Sequence, residues 1–199
     1  MKFSIIMPSL LADYPGSATG KHEKLIRSVS SVLNQSFKDW ELIVVADGCD
    51  LTKWIVKKFT DKRIRMFDVE RSGLFSNDAR NKGIEEAKGD FIIYLDNDDY
   101  WRPDHLKISA ENLKKYDWVY SNDWTHYGTD WEERICDIEQ YSRCGTSNIC
   151  HKRKLGLKWN ETGYGHDYHF IQQLLEFEKY AQIPTAQYYV CHMLNNYQV

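Results

Sequence analysis

The sequence has no cysteine pair at C-x-x-C spacing, no G-x-G-x-x-G after its first apolar run and no excess of positive charge. No apolar run approaches the ~20 residues of a membrane span. Each absence removes a class of function. Cys49, Cys136, Cys144, Cys150 and Cys191 are an odd set, which fits reduced thiols in a cytoplasmic protein better than a disulfide framework. A zinc site can be drawn from Cys144, Cys150, His151, His166 and His169, but their spacing matches no ligand pattern. Without the glycine fingerprint, a dinucleotide dehydrogenase is disfavoured. A formal net charge of −3 argues against an electrostatic nucleic-acid binder. The first residues are strand-like and carry no signal-peptide pattern, so the expectation is a soluble, cytoplasmic protein. There is no internal repeat, low-complexity tract or linker. A length of 199 residues with 42% hydrophobic content suits one globular domain.

What is present is an alternation of apolar strands and amphipathic helices. Phe3–Met7 reads as a strand, followed by a helix with Leu25, Val29, Val32 and Leu33 on one face. Glu41–Ala46 is a continuous apolar strand, the signature of burial on both faces. Leu51–Phe59 reads as a helix and Arg63–Phe67 as a strand. Ala79, Gly83, Ile84 and Ala87 mark a further helix that Gly89 ends. Phe91–Leu95 is the fourth strand, Pro103 opens a helix through about Lys115, and Trp118–Ser121 gives a fifth strand. The series predicts an α/β fold: a single Rossmann-like domain with a mainly parallel central sheet. After Asn122 the regularity fades, with one strand expected near Glu133–Ile138 and a last helix following Asp167 that carries Phe170, Ile171, Leu174 and Leu175.

The fourth strand ends in Asp96-Asn97-Asp98-Asp99. Carboxylates this close repel one another unless a cation or a ligand accepts the charge. Their hard oxygens suit Mg²⁺ or Mn²⁺ holding substrate phosphates. The competing reading is an acidic turn in which Asp99 or Asp104 caps the next helix. In open parallel sheets, ligands gather at the carboxyl ends of the strands. Pro8-Ser9, Asp47-Gly48 and the acidic run all end strands, so they should converge on one crevice.

The ordered pieces Phe3–Ser9, Ser31–Ser36, Glu41–Gly48, Ala79–Ile84, Ala87–Asp90 and Leu95–Asp99 closely resemble family 2 inverting glycosyltransferases with the GT-A (nucleotide-diphospho-sugar transferase) fold. The resemblance is dense over residues 2 to 105 and looser over 144 to 178. It implies that Asp96-Asn97-Asp98 is a D-x-D motif, with Asp96 toward ribose and sugar and Asp98 on a Mn²⁺ or Mg²⁺ bound to the diphosphate. It implies that Pro8 and Ser9 hold the nucleoside, that Asp47 reads uracil and that Arg80 sits near base and pyrophosphate, with Asn77 and Asp78 on the same rim. Ala46 stands where the family's usual first Asp of the uracil pair is, so recognition of uracil is less secure than recognition of a sugar nucleotide. The longer segment Leu11–Lys21 reads as a variable surface loop.

In the second half the resemblance implies that Asp167, in Gly163-Tyr164-Gly165-His166-Asp167, is the base that removes the acceptor proton, with His166 replacing the usual Glu. A first-turn acid stabilised by the helix dipole is the structural alternative. His192 is a candidate metal ligand, since imidazole suits Mn²⁺. Trp124, Tyr127, Trp131, Trp159 and Tyr164 are candidate platforms for an acceptor glycan. The division is then one domain, residues 1–199, with a nucleotide-sugar half (1–122) and an acceptor half (123–199), as one module of a longer polypeptide. The expected partners are a UDP-sugar donor and a glycan or glycoconjugate acceptor, with no nucleic acid and no integral membrane segment. A sugar nucleotidyltransferase and a non-catalytic nucleotide-sugar module are the alternatives; the first usually has a Gly-rich basic loop where Pro8–Asp13 stands.

Overall fold

Every residue of β1 (Phe3–Ser9) and β2 (Trp40–Asp47) is buried, as continuous apolar runs covered on both faces require. The computed structural model describes residues 1–13, 19–71, 76–127, 130–160, 163 and 165–191. Along the chain come α1 (Lys21–Leu33), α2 (Asp50–Val56), β3 (Ile64–Val69), α3 (Asn77–Glu86), β4 (Phe91–Tyr94) and β5 (Tyr100–Trp101). They are followed by α4 (His105–Leu113), β6 (Trp118–Tyr127), β7 (Asp130–Arg134), β8 (Ile149–Lys152), α5 (His166–Leu174) and β9 (Tyr180–Val190).

The sheet runs β3-β2-β1-β4-β8-β6-β9-β5, with β7 alongside the far part of β6. The ladders joining β3, β2, β1 and β4 are parallel, as is β6 with β9. Alternate strand residues supply two cores. Phe3, Ile5, Leu42, Val44 and Ile93 meet α1, α2 and α4, whereas Ile6, Ile43, Val45, Ile92 and Tyr94 meet α3 and α5. This is the period-two division of a sheet covered by helices on both faces.

The order places a topological switch between β1 and β4, because β2 and β3 extend the sheet one way and β4 the other. Such a point opens a crevice at the carboxyl ends of the strands. Here the β1–β4 ladder stops at the pair Ile6 and Tyr94 while β1 continues to Ser9. Pro8, which has no N–H to donate, occupies the free stretch, as proline in a strand must. On the other face α3 lies hard against β1. A Cβ built on Gly83 would stand 2.5 Å from Ile6 Cγ2, so only glycine permits the approach that fixes α3 beside the crevice.

The structure corrects several boundaries. Trp118–Ser121 is part of the longer β6, which is not next to β4: β8, unseen in the sequence pattern, lies between them and is antiparallel to both. Four residues that also fit a loop carry too little periodicity to be recognised as a strand. The strand expected near Glu133–Ile138 is β7, Asp130–Arg134. The helix expected over Leu51–Phe59 ends at Val56, and α3 ends at Glu86, before Gly89. The five cysteines are free and buried. Among the described residues, no helix is long and apolar enough to cross a membrane.

Candidate active site

At the carboxyl edge of the sheet lies a cavity of about 350 Å³ whose walls include Pro8, Arg80, Asp96, Asp98, Arg134 and Asp167. Five of these six are residues singled out from the sequence. They come from separate elements apart from Asp96 and Asp98, which share the acidic run after β4, and the topology explains why they meet. β1 and β4 deliver Pro8 and the acidic run directly. Because β8 runs antiparallel to β4, its first residues lie beside the last of β4, and the short 3-10 turn Thr146–Asn148 preceding it falls against the acidic tip. Ser147 Oγ accepts the Asp96 N–H at 3.1 Å and donates to Asp96 Oδ2 at 3.2 Å.

Within the tip the four residues have different surroundings. Asp96 Oδ1 is paired with Arg80 Nη2 at 3.2 Å, and the Arg80 guanidinium lies 5.0 Å from the centre of the Trp159 ring. Asn97 Nδ2 donates to Ser9 Oγ at 3.1 Å, and Ser9 Oγ shares a hydrogen bond of 2.9 Å with Thr52. The Asp98 carbonyl accepts from Arg27 Nη2 at 2.6 Å. Asp99 is buried and does not cap a helix. Its carboxylate accepts from Tyr188 Oη and from the Cys191 N–H, locking the end of β9 to the tip. Asp104 occupies the N-cap position of α4 without bonding its backbone, and accepts from Ser36 Oγ at 2.6 Å instead. The helix-cap reading of the acidic run is thereby corrected: Asp99 is a structural clamp for β9. Burial raises the Asp99 carboxyl well above the usual carboxylate range, with the charges of Asp98 and Asp96 adding to the rise.

Asp47, at the end of β2, is also buried. Its Oδ2 accepts from Ser76 Oγ at 2.7 Å, while Oδ1 has no hydrogen-bond partner among the described residues. A buried orphan acceptor is uncommon and invites a ligand donor. Ser76 holds a left-handed conformation (φ 52°) at the N-cap of α3 and lines the cavity, so it links Asp47 to the cavity wall. Non-glycine residues pay strain there, and such strain gathers at functional sites. Asn77 is buried and Asp78 exposed on the same helix turn.

On the opposite wall, α5 presents His166 and Asp167. Its N-cap is Gly165 at φ 98°, and a Cβ there would run into the Tyr141 ring. Asp167 Oδ1 accepts from Thr146 Oγ1 and lies 3.3 Å from His166 Nε2. Oδ2 carries no protein hydrogen bond among the described residues. Burial lowers the His166 imidazole, opposed by the Asp167 charge and assisted by Arg80.

Sequence reasoning missed Ser76, Thr146, Ser147, Asn148 and the pair Asp123–Arg134. Serines and threonines in loops carry no distinctive pattern, and the Asp–Arg pair joins two strands whose partnership the sequence does not reveal. Among the candidate platforms, Trp159 is core, stacked on Phe170 at 4.0 Å between ring centres. Trp124 and Trp131 cluster on Tyr189, at 6.1 and 4.9 Å. His192, Tyr164, the side chain of Tyr127 and residues 14–18 of the Leu11–Lys21 segment lie outside the described residues. Among the described residues no three His, Cys, Asp or Glu side chains converge as a ready-made metal cage. The carboxylates of Asp96 and Asp98 on one cavity fit the weaker demand of Mg²⁺ or Mn²⁺, which commonly use one or two carboxylates together with substrate phosphates.

The family model described as glycosyl transferase family 2 matches residues 4–175. Over 113 residues the chain is 37% identical to an Escherichia coli protein named UDP-Glc:alpha-D-GlcNAc-diphosphoundecaprenol beta-1,3-glucosyltransferase WfgD, covering 56% of this chain and 41% of that protein. Over 97 residues it is 35% identical to the putative teichuronic acid biosynthesis glycosyltransferase TuaG of Bacillus subtilis, covering 47% and 38%. The chain thus spans less than half the length of these relatives. The crystal structure of S. aureus TarS 1-349 superimposes with a TM-score of 0.78 at 21% identity, covering 96% of this chain and 60% of that one. The same TarS fragment in complex with UDP-GlcNAc gives 0.76. The shared fold and the match of the family model over most of the chain lead to one conclusion: the protein belongs to glycosyltransferase family 2 and has the GT-A fold.

Proposed function

We propose that this chain is the catalytic domain of an inverting glycosyltransferase that moves a sugar from a UDP-sugar to a hydroxyl of a glycan or glycoconjugate. The observation that carries the reading is the meeting, on one cavity, of Pro8, Arg80, Asp96 and Asp98 from the first half with Asp167 from the second. The relatives named for UDP-glucose and teichuronic acid chemistry support a sugar-nucleotide donor.

The nucleoside lies along Pro8 and Ser9, with the base toward Asp47. Asp47 Oδ1, without a hydrogen-bond partner among the described residues, suits the imide N–H of uracil, a role it carries alone because Ala46 has no polar group. Arg80, oriented by Asp96, supplies positive charge beside the diphosphate. Asp96 and Asp98 would hold a divalent cation, Mn²⁺ or Mg²⁺, with His192 as a further candidate ligand. When bound, that ion neutralises charge developing on the departing diphosphate. Asp167 is the base. Thr146 fixes its Oδ1, and Oδ2 receives the acceptor's hydroxyl proton as the oxygen attacks the anomeric carbon. The new C–O bond forms on the face opposite the breaking bond to phosphate, and UDP leaves with the bonding electrons.

A panel of UDP-, GDP- and dTDP-sugars, with and without Mn²⁺, tests the reading. Slow release of UDP from a UDP-sugar is expected. Release of UTP from UDP-sugar and pyrophosphate would instead make the chain a nucleotidyltransferase, and binding without turnover a passive module.

A further inference from the structure

The pair of buried Asp123 and half-buried Arg134 has no part in the mechanism above, yet its polar groups are densely organised beside the cavity. Asp123 is fully buried, and four side chains donate to its carboxylate. Arg134 Nε reaches Oδ1 at 3.0 Å and Arg134 Nη2 reaches Oδ2 at 2.5 Å. Asn148 Nδ2 donates to Oδ2 and Thr125 Oγ1 to Oδ1, each at 2.9 Å, and Cys136 Sγ lies 3.7 Å from Oδ2. Asp123 is therefore saturated and has nothing left to offer a ligand. Arg134 is not. Its Nε–Nη2 edge is spent on Asp123, but Nη1 has no hydrogen-bond partner among the described residues, and the residue lines the cavity. An ion pair with a fully buried carboxylate is a poor source of stability, because desolvation offsets the attraction between its charges. It is a good way to hold a guanidinium in one orientation.

Where Arg134 sits follows from the hydrogen bonds. The turn Thr146–Asn148 touches Asp167 at one end and Asp123 at the other. Arg134 thus lies on the side of the cavity belonging to the proposed base, whereas Ser9, Asn97 and Asp47 form the nucleoside side. Arg80 is already committed to Asp96.

We propose that Arg134 binds an anionic group of the acceptor, a phosphate or carboxylate carried close to the hydroxyl that Asp167 deprotonates. The proposal rests on the glycosyltransferase reading of the cavity. Asp123, Asn148 and Thr125 hold the guanidinium so that its remaining edge meets the anion at no further ordering cost. Arg134 is a specificity residue and takes no proton.

The test titrates the full chain, with and without saturating UDP, with glucose 1-phosphate, glucuronate and methyl glucoside by calorimetry. At least one anionic probe should bind about tenfold or more tighter than methyl glucoside, as expected for a hydrogen bond to a charged group. The stronger of the two identifies phosphate or carboxylate. Because Arg134→Gln alone strands the buried Asp123 charge, the informative variant is the double change Asp123→Asn with Arg134→Gln. Its preference for the anion should fall to within about twofold, and Arg134→Lys should keep part of it. Equal affinity for charged and neutral probes in the wild type, no binding of any probe, or a preference that survives in a double variant with unchanged melting temperature would overturn the assignment. Failure of the wild type to bind UDP would count against the glycosyltransferase reading instead, and is scored separately.

Discussion

The two edges of the sheet treat carboxylates in opposite ways. At the amino edge, Glu41 is buried and surrounded by donors: Ser4 Oγ at 2.7 Å, the Lys88 N–H at 2.7 Å and Arg65 Nη1 at 2.9 Å. Burial works against its charge, but these donors outweigh it and hold the Glu41 carboxyl below its ordinary value. At the carboxyl edge, Asp99 is buried beside two more carboxylates and is pushed up. Among the described residues, Asp47 keeps an oxygen without a partner there, and so does Asp167. A charge that serves the fold is satisfied by the fold. A charge left partly unsatisfied is open to a ligand, and that shortfall is what nominates the carboxyl edge as the candidate site.

Removing one group from each edge should separate the two kinds of charge. Asp167→Asn should lower sugar transfer by about 10³-fold or more, within the range for a lost general base, while UDP affinity by calorimetry stays within about threefold. Asp98→Ala should abolish metal-dependent donor turnover in the same assay. If either variant transfers sugar at the wild-type rate, its role is refuted. Glu41→Ala should do the reverse. It strands Arg65 and the Ser4 hydroxyl, so it should cost about 3 kcal/mol in urea unfolding without changing nucleotide affinity.

The pH dependence sharpens the contrast. His151 is buried against Tyr94, with Nε2 3.0 Å from the Tyr94 hydroxyl, and burial lowers it to about 4. Its folded value lies below its unfolded one, so the unfolded chain takes the proton first and stability falls as pH drops from about 6.5 towards 4. His105, lowered to about 3 by burial, acts in the same direction. Glu41 adds a further loss as pH falls through its depressed folded value. Asp99 has the opposite sign: its contribution is present at low pH and lost as pH rises through its elevated value. His151→Phe should flatten the slope between pH 6.5 and 4 by about 3 kcal/mol at most, at 1.36 kcal/mol per pKa unit. An unchanged slope would show that His151 takes up no proton on unfolding. The smallest effect expected is that of Asp47→Ala, which should weaken UDP binding by about tenfold, the loss of one hydrogen bond to a charged group. Equal weakening of a GDP-sugar would show that Asp47 does not read the base.

Much of the first half is legible in the sequence because parallel strands buried on both faces are continuous apolar runs, and the residues that end them must meet at one edge. Ser9, Asp47 and Asp96–Asp99 follow from that rule alone. The second half is different. β8 is four residues long, β5 two, and the pairing of β9 with β6 shifts register between Ser121 and Asp123, where Pro184 interrupts the ladder. None of these leaves a periodic trace. Asp99 is instructive: its neighbours in sequence suggested a helix cap, but its partners, Tyr188 and Cys191, come from the other end of the chain.

The sequence by itself determined the family, the order of the first four strands and the positions of the acidic tip and of Asp167, because these rest on local pattern and on residues adjacent in the chain. Only the tertiary structure decided which charges are satisfied. An antiparallel strand slipped between β4 and β6 carries Thr146 to Asp167, Ser147 to Asp96 and Asn148 to Asp123, and through Asp123 turns Arg134 to the cavity. Hydrogen bonds of that kind depend on which strands are neighbours across the sheet, and neighbours across a sheet are set by packing, not by proximity along the chain.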